Sequence, residues 1–244
     1  MNSGCRVRSS EFTTLSRFDK EGFQIVTSVI AGDECDLLAA ELTPLFEAQQ
    51  KSAGSKIGGI RNLLRTNERV QQLAGSRKII SILEEAIGLR PFPVRAIFFD
   101  KNPDANWLVP WHQDLAVAVA ARVDASGFTG WSIKDGVPHV HPPPEILEGM
   151  ITLRLHLDDC GGENGALKII AGSHRLGKLD AVEISNCAKS SEPVTCDLLK
   201  GDILLMRPLL LHASLPAKNP SHRRVLHIEY ATRQLPDGLK WFEN

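Results

Sequence analysis

Trp111-His112-Gln113-Asp114 sets an imidazole and a carboxylate two residues apart. Side chains of an extended strand alternate with period two, so both groups project from one side. Two such groups can hold a single metal ion. One more histidine from a distant strand would complete a face of three ligands and leave the opposite face open. Taken alone, His-x-Asp is weak, because it also fits a surface histidine beside an N-capping aspartate. The metal reading needs a second strand that delivers the third ligand.

Residues 201–212, Gly-Asp-Ile-Leu-Leu-Met-Arg-Pro-Leu-Leu-Leu-His, offer that strand. A Gly-Asp turn feeds an apolar run that ends in His212. A buried polar group at such a position needs a partner, since leaving it unpaired costs on the order of 2 kcal/mol. A backbone carbonyl could serve, but so could a metal shared with His112 and Asp114. Two histidines and one carboxylate with open positions are the set favoured by non-haem Fe(II).

After the turn residues Asn219-Pro220-Ser221 the chain enters another strand at Arg223, which this reading places beside the site across one hairpin. Its guanidinium can bind a carboxylate through two parallel hydrogen bonds. Ser214 shares a strand face with His212 and can donate one more. Arg224 is the alternative anchor, because neighbouring strand residues face opposite ways. Upstream, Asn164-Gly165 signals a turn and opens a strand that stops at Gly172-Ser173-His174.

The segments before residue 90 read as a helical support. Phe18-Asp19-Lys20-Glu21-Gly22-Phe23 is a short helical turn that leads into a strand, and residues 1–10 look frayed. From Asp33 to about Gln50, Cys35, Leu38, Leu42, Leu45 and Phe46 recur at helical spacing along one stripe, with Pro44 expected to kink or divide the helix. Residues 51–59 read as a loop. A second helix runs from Arg77 to Ile87, with Ser76 as N-cap and Gly88 as its stop. Arg61, in Gly58-Gly59-Ile60-Arg61-Asn62, could reach a site, but an exposed arginine is the reading preferred. Residues 94–100 are β-like and residues 102–104 turn the chain back toward His112.

The chain has 244 residues, 43% of them apolar, which suffices for a sizeable core. With 28 basic and 29 acidic residues, nothing points to nucleic acid as a partner. No apolar run approaches the roughly 20 residues that cross a bilayer, so no membrane association is expected. The five cysteines are an odd number without a C-x-x-C pair, which suggests reduced thiols in a cytoplasmic protein. The expected organisation is one domain over 1–244: helical support over 1–90, a β core over 91–235, and a lid near 115–149.

Together, the His112-Gln113-Asp114 pair, Asn164-Gly165-Ala166-Leu167 with Gly172-Ser173-His174-Arg175, the Gly201-Asp202 to His212-Ala213-Ser214 segment, and Arg223 resemble the phytanoyl-CoA dioxygenase family of Fe(II)- and 2-oxoglutarate-dependent oxygenases. Ala171 and Ala213 depart from the family's usual proline and glycine, and neither removes a ligand. The resemblance implies a mainly β fold, a double-stranded β-helix (a jelly-roll, cupin-like barrel) with helices on one outer face. It implies Fe(II) at His112, Asp114 and His212, with 2-oxoglutarate as co-substrate at Arg223 and Ser214. Dioxygen is the oxidant, and succinate and CO2 are released as a small organic substrate is hydroxylated. Related halogenases need position 114 vacated for chloride, so Asp114 argues for hydroxylation.

Residues 151–158 alternate strictly, Ile and Leu against Thr152, Arg154, His156 and Asp158. In the resembled family the position of Arg154 looks into the active site, so Arg154 and Thr152 join the co-substrate pocket, with His156 beside them. Residues 115–149 read as a long irregular loop over the barrel mouth. There Trp131 and Lys134 are candidate contacts for an apolar, anionic substrate, and Gln113 is a third. His139-Val140-His141 is a rival metal pair without a carboxylate. Residues 178–200 read as an insertion of low signal, and Trp241 and Phe242 should pack back on the domain. Two other classes remain open: a cupin-type metal enzyme that does not use 2-oxoglutarate, and a non-catalytic ligand-binding barrel.

Overall fold

The computed structural model describes residues 17–53 and 59–244; the frayed segment expected at residues 1–10 lies outside them. Helices, numbered along the chain, are α1 (Arg17–Glu21), α2 (Gly32–Ala53), α3 (Leu63–Thr66), α4 (Glu68–Ala74), α5 (Arg77–Ile87), α6 (Pro144–Glu148) and α7 (Ala181–Ser190). Strands are β1 (Phe23–Val26), β2 (Phe92–Lys101), β3 (Val109–His112), β4 (Val117–Ala118), β5 (Thr129–Lys134), β6 (Val137–His141), β7 (Met150–His156), β8 (Leu167–Ile169), β9 (Val194–Thr195), β10 (Ile203–Met206), β11 (His212–Ser214) and β12 (Arg223–Ala231). A five-stranded sheet of order β1-β10-β7-β12-β2 and a four-stranded sheet of order β3-β11-β8-β9 form the core. All pairings are antiparallel. Side chains from both sheets line one cavity. This is the expected jelly-roll.

The helices cover one face of the large sheet for a reason visible in β7. Ile151, Leu153 and Leu155 join a buried apolar cluster with Leu38, Leu42 and Phe46 of α2 and Ile79 and Leu83 of α5. Alternation then turns Thr152, Arg154 and His156 into the barrel. The limits of α5 fall where its caps predict: Ser76 Oγ accepts from the Ile79 N–H, and Gly88 is left-handed with φ of 69°. Leu45 departs from the predicted stripe. It sits at the stripe's edge and is 48% exposed. Pro44 does not divide α2. It and Ala40 are exposed, so water can reach the carbonyl that loses its partner.

Three further expectations are corrected. Residues 201–212 are not one strand: β10 belongs to the large sheet and β11 to the small one. The chain crosses between sheets through a turn at 207–211, where the Leu210 N–H donates to the Arg207 carbonyl at 3.0 Å and Pro208 has no donor to extend β10. For the same reason no hairpin joins β11 and β12, which lie in different sheets. Residues 115–149 are not irregular. They hold a third sheet of order β4-β6-β5 and helix α6, with Val117, Phe128, Val140 and Ile146 packed against Leu235, Leu239 and Trp241. The tail thus packs as expected, with Phe242 bonded through its N–H to the Ala118 carbonyl.

Within 178–200, α7 is capped by Asp180 and Glu183 in a reciprocal capping box, an Asp-x-x-Glu signal the sequence reading passed over. Among the described residues, no helix is long and apolar enough to cross a membrane.

Gly201 fixes the turn that leads into β10. Its φ is +88°, and a Cβ there would collide with the Ile30 carbonyl oxygen. Its own carbonyl accepts from the Val29 and Ile30 N–H groups, both at 3.0 Å. Gly201→Ala should therefore cost on the order of 3 kcal/mol in denaturant unfolding, because strain and collision add. Gly32→Ala, where a Cβ meets nothing within 4 Å, should leave stability nearly unchanged.

Candidate metal centre and active-site cavity

β3 and β11 are neighbours, and His112 pairs directly with His212. β3 stops at His112, and Asp114 follows just beyond it. The Asp114 N–H leaves the ladder and donates to the Pro208 carbonyl of the crossing turn at 2.9 Å. That bond returns the carboxylate to the imidazoles: Asp114 Oδ1 lies 3.7 Å from His112 Nε2, and Oδ2 lies 3.6 Å from His212 Nε2. The two rings stand with centroids 4.1 Å apart.

Both imidazoles are oriented by their own backbone. His112 Nδ1 meets the Pro110 carbonyl at 2.9 Å, and His212 Nδ1 meets the Leu210 carbonyl at 2.9 Å. A carbonyl only accepts, so each Nδ1 carries the proton and each Nε2 presents a lone pair. Burial pushes His212 down to about 4, keeping it neutral. Burial presses Asp114 upward, but His212, His227, His112 and Arg154 outweigh it and hold the carboxyl at about 2.

Two imidazole Nε2 atoms and one ionised carboxylate, with donor atoms all within 4.8 Å, fit a divalent metal. Asp114 Oδ2 is buried with no hydrogen-bond partner, as a ligand atom awaiting a cation would be. This is the one such cluster among the described residues. The rival pair does not compete. His139 Nδ1 donates to the Val137 carbonyl and burial lowers the ring to about 4, while His141 lines the cavity without a third ligand.

The centre opens into a cavity of about 440 Å³. On β12, Arg223, His227 and Glu229 line it, paired across the ladder with Lys101, Ile97 and Arg95 of β2. Arg223 points inward, and its Nη1 donates to the Gly165 carbonyl at 2.6 Å. Arg224 points out and pairs with Asp158 through Nε at 2.8 Å. The strand phase thus separates the two arginines. Ser214 lines the same end, where its Oγ accepts from Lys101 Nζ at 2.7 Å.

Arg154 also lines the cavity and donates to His227 Nδ1 at 2.9 Å. Thr152 and His156 share its inward face without lining the cavity. Gln113 lines it, but its amide is already occupied. Nε2 donates to the Gly177 and Leu209 carbonyls, and Oε1 accepts from the Leu179 N–H. Gln113 therefore ties the 177–179 loop to the metal strand. Lys134 lines the cavity; Trp131 does not, and packs instead with the Arg122 guanidinium 5.4 Å from its ring.

Sequence reasoning missed several lining residues. Arg61, read as exposed, is half-buried on the cavity wall and bonded to Asp135 at 2.7 Å. Arg95, Ile97 and Phe99 recur at every second position of β2, and that alternation was available. Its phase was not, because both faces of β2 are buried.

Lys101 is almost completely buried. Burial first, and Arg223 second, push its ammonium down to about 7. Above that pH the unfolded chain holds a proton that the folded one lacks, up to the unfolded value near 10.4. Stability should therefore rise with pH from about 7 to 8.5, below the range where the buried thiols oppose it. Below about 7 both states are protonated and this contribution is flat. Urea titrations of the protein and of Lys101→Met should differ in slope over that interval, the variant lacking the rise.

The sequence matches the phytanoyl-CoA dioxygenase (PhyH) family over residues 18–225. A probable alpha-ketoglutarate-dependent hypophosphite dioxygenase of Stutzerimonas stutzeri is 26% identical over 180 residues, which are 67% of this chain and 53% of that protein. The chain thus spans about half the length of the curated relative it matches. Among solved structures, the non-heme alpha ketoglutarate dependent carbocyclase SnoK from nogalamycin biosynthesis aligns with a TM-score of 0.67 at 13% identity, covering 89% of this chain and 82% of that one. HygX from Streptomyces hygroscopicus, crystallised with nickel and 2-oxoglutarate bound, aligns with a TM-score of 0.60 at 16% identity, covering 91% of each chain. Those two likenesses speak for the fold. The family match extends over most of the chain, from α1 into β12 and across His112, Asp114 and His212, and by it the protein belongs to the phytanoyl-CoA dioxygenase family.

Proposed function

We propose that the protein is an Fe(II)- and 2-oxoglutarate-dependent dioxygenase that hydroxylates a small organic substrate and releases succinate and CO2. The observation that carries this reading is the pairing of a three-donor centre with a separate buried cation in one cavity. His112, Asp114 and His212 would hold the metal. Arg223 and Ser214 would take the far carboxylate of the co-substrate, with Lys101 fixing the Ser214 hydroxyl. When bound, the iron supplies the activation of dioxygen and the oxidising power.

The chain supplies orientation and shielding. The Pro110 and Leu210 carbonyls hold both imidazoles in the ligating tautomer. Ile97, Phe99 and Leu167 wall the cavity and keep water from the reacting atoms. Asp114 fills the third ligand position, which favours hydroxylation over halogenation. Free thiols at Cys35, Cys160, Cys187 and Cys196 support a reducing, cytoplasmic setting.

Calorimetric titration tests the reading. With Ni(II) in place of iron, 2-oxoglutarate should bind at one site per chain, and without metal its affinity should fall at least about tenfold. Metal-independent binding, or none, would contradict it.

A further inference from the structure

We propose that the substrate bears an oxyanion, such as a carboxylate, and that this group docks on Lys134 and Arg61 at the end of the cavity remote from Arg223. The inference rests on the reading that the Arg223 end takes 2-oxoglutarate.

The inner face of the large sheet gives the cavity two ends. Arg223 pairs with Lys101, and Glu229 pairs with Arg95, six residues further along β12. At about 3.3 Å per residue the two pairs stand roughly 20 Å apart. A five-carbon diacid at one end is far too short to reach the other, so the second end is left for the substrate.

That second end carries Arg61, Arg95 and Lys134 with the Glu229 and Asp135 carboxylates, and the buried Glu243 carboxyl, pushed up to about 7, also interacts with Arg95. Arg95 is neutralised by Glu229 at 3.1 Å, both groups buried. Arg61 is bonded to Asp135 at 2.7 Å. Lys134 has no carboxylate within ion-pair distance among the described residues, although it lines the cavity beside both arginines. Partial burial, then Arg95 and Arg61, lower its pKa against the opposing pull of Glu229 and Asp114, and an incoming anion would offset the two arginines.

The arrangement is held in place. Lys134 ends β5, and Asp135-Gly136 turns into β6 with φ of 49° and 77°. Positive φ at both central residues marks a tight two-residue hairpin of the kind that Asp-Gly favours. Asp135 then fastens the hairpin tip to Arg61, a residue from a distant part of the chain. Lys134 itself is exposed at the cavity rim, where an incoming anion can reach it.

The lining also offers apolar surface from Ile97, Leu115 and Ala116. The cavity of about 440 Å³ is near the lower end of ligand-site sizes and must also admit the co-substrate. The ligand class is therefore a small acid with a short apolar body. Amines would meet like charge.

The test uses the full chain loaded with Ni(II) and saturating 2-oxoglutarate, so the Arg223 end is filled. Thermal shifts are read for straight-chain carboxylic acids of three to eight carbons, benzoic and phenylacetic acids, and methylphosphonic and methanesulfonic acids. Each carboxylic acid is run beside its primary amide and the amine of equal length. At least one acid should stabilise the protein while its amide and amine do not. Lys134→Gln should weaken that acid about 10- to 100-fold, Lys134→Arg should restore most of the loss, and the 2-oxoglutarate Kd should not move. A panel in which no acid exceeds its neutral partner overturns the proposal, as does a bound acid indifferent to Lys134→Gln. Failure of 2-oxoglutarate itself to bind is a separate outcome, which removes the oxygenase reading and this proposal with it.

Discussion

His112→Ala is expected to reduce iron-dependent succinate formation to background, a fall of at least about 100-fold. The side chain is only half-buried, so its removal leaves the core intact. What disappears is one of three donors. Asp114 and His212 remain within 3.6 Å of each other, but two ligands from one edge cannot fix a divalent ion against exchange with water. Even groups that merely orient a ligand are commonly worth 10- to 100-fold in metal affinity or activity, and a ligand itself is worth more. The Pro110 carbonyl loses its partner as well, at an exposed site where water replaces it. Iron retained per chain after dialysis, with far-UV circular dichroism as the check on folding, separates loss of metal from loss of structure. Unchanged iron content and turnover would show that the metal lies elsewhere.

Arg223→Gln should raise the KM for 2-oxoglutarate by about 100-fold or more while leaving iron binding intact. The guanidinium is buried at one end of the cavity, and a carboxylate that binds it is desolvated on arrival. A charge-assisted pair in that setting loses roughly 2–5 kcal/mol when one partner is truncated. Arg223→Lys should recover only part of the loss, because an ammonium cannot reproduce the two-pronged contact. Arg224→Gln is the matched control. That side chain faces away, engages Asp158 and Thr43, and should leave the KM for 2-oxoglutarate unmoved. Steady-state succinate formation across 2-oxoglutarate concentrations reads all three variants, and equal effects at 223 and 224 would contradict the assignment.

Features with short-range causes were legible in the sequence. The ends of α5 follow from the chemistry of Ser76 and Gly88 alone. His112 and Asp114 do meet, but β3 ends before Asp114 is reached, and the Asp114 N–H bond to the Pro208 carbonyl, not strand alternation, brings the carboxylate back. His212 could be picked out as a polar end to an apolar run. What failed depended on how sheets meet. Residues 203–206 and 209–211 are both apolar, so only Arg207-Pro208 between them marked the place where the chain changes sheet. Arg223 and Arg224 could not be told apart, because facing is set by the partners of β12 on both flanks. Lys134 was found, but Arg61 was not: its place on the cavity wall comes from Asp135, 74 residues away. Asp135-Gly136 itself was a readable hairpin signal within a segment taken as irregular.

The proposed activity requires this chain to couple iron, 2-oxoglutarate and dioxygen. The most direct measurement is succinate formed against oxygen consumed by purified protein supplied with Fe(II) and 2-oxoglutarate, with and without small acids. Succinate that requires both iron and oxygen, formed slowly alone and faster with an acid, is the predicted result. No succinate from protein carrying one iron per chain, under any of these conditions, would contradict it.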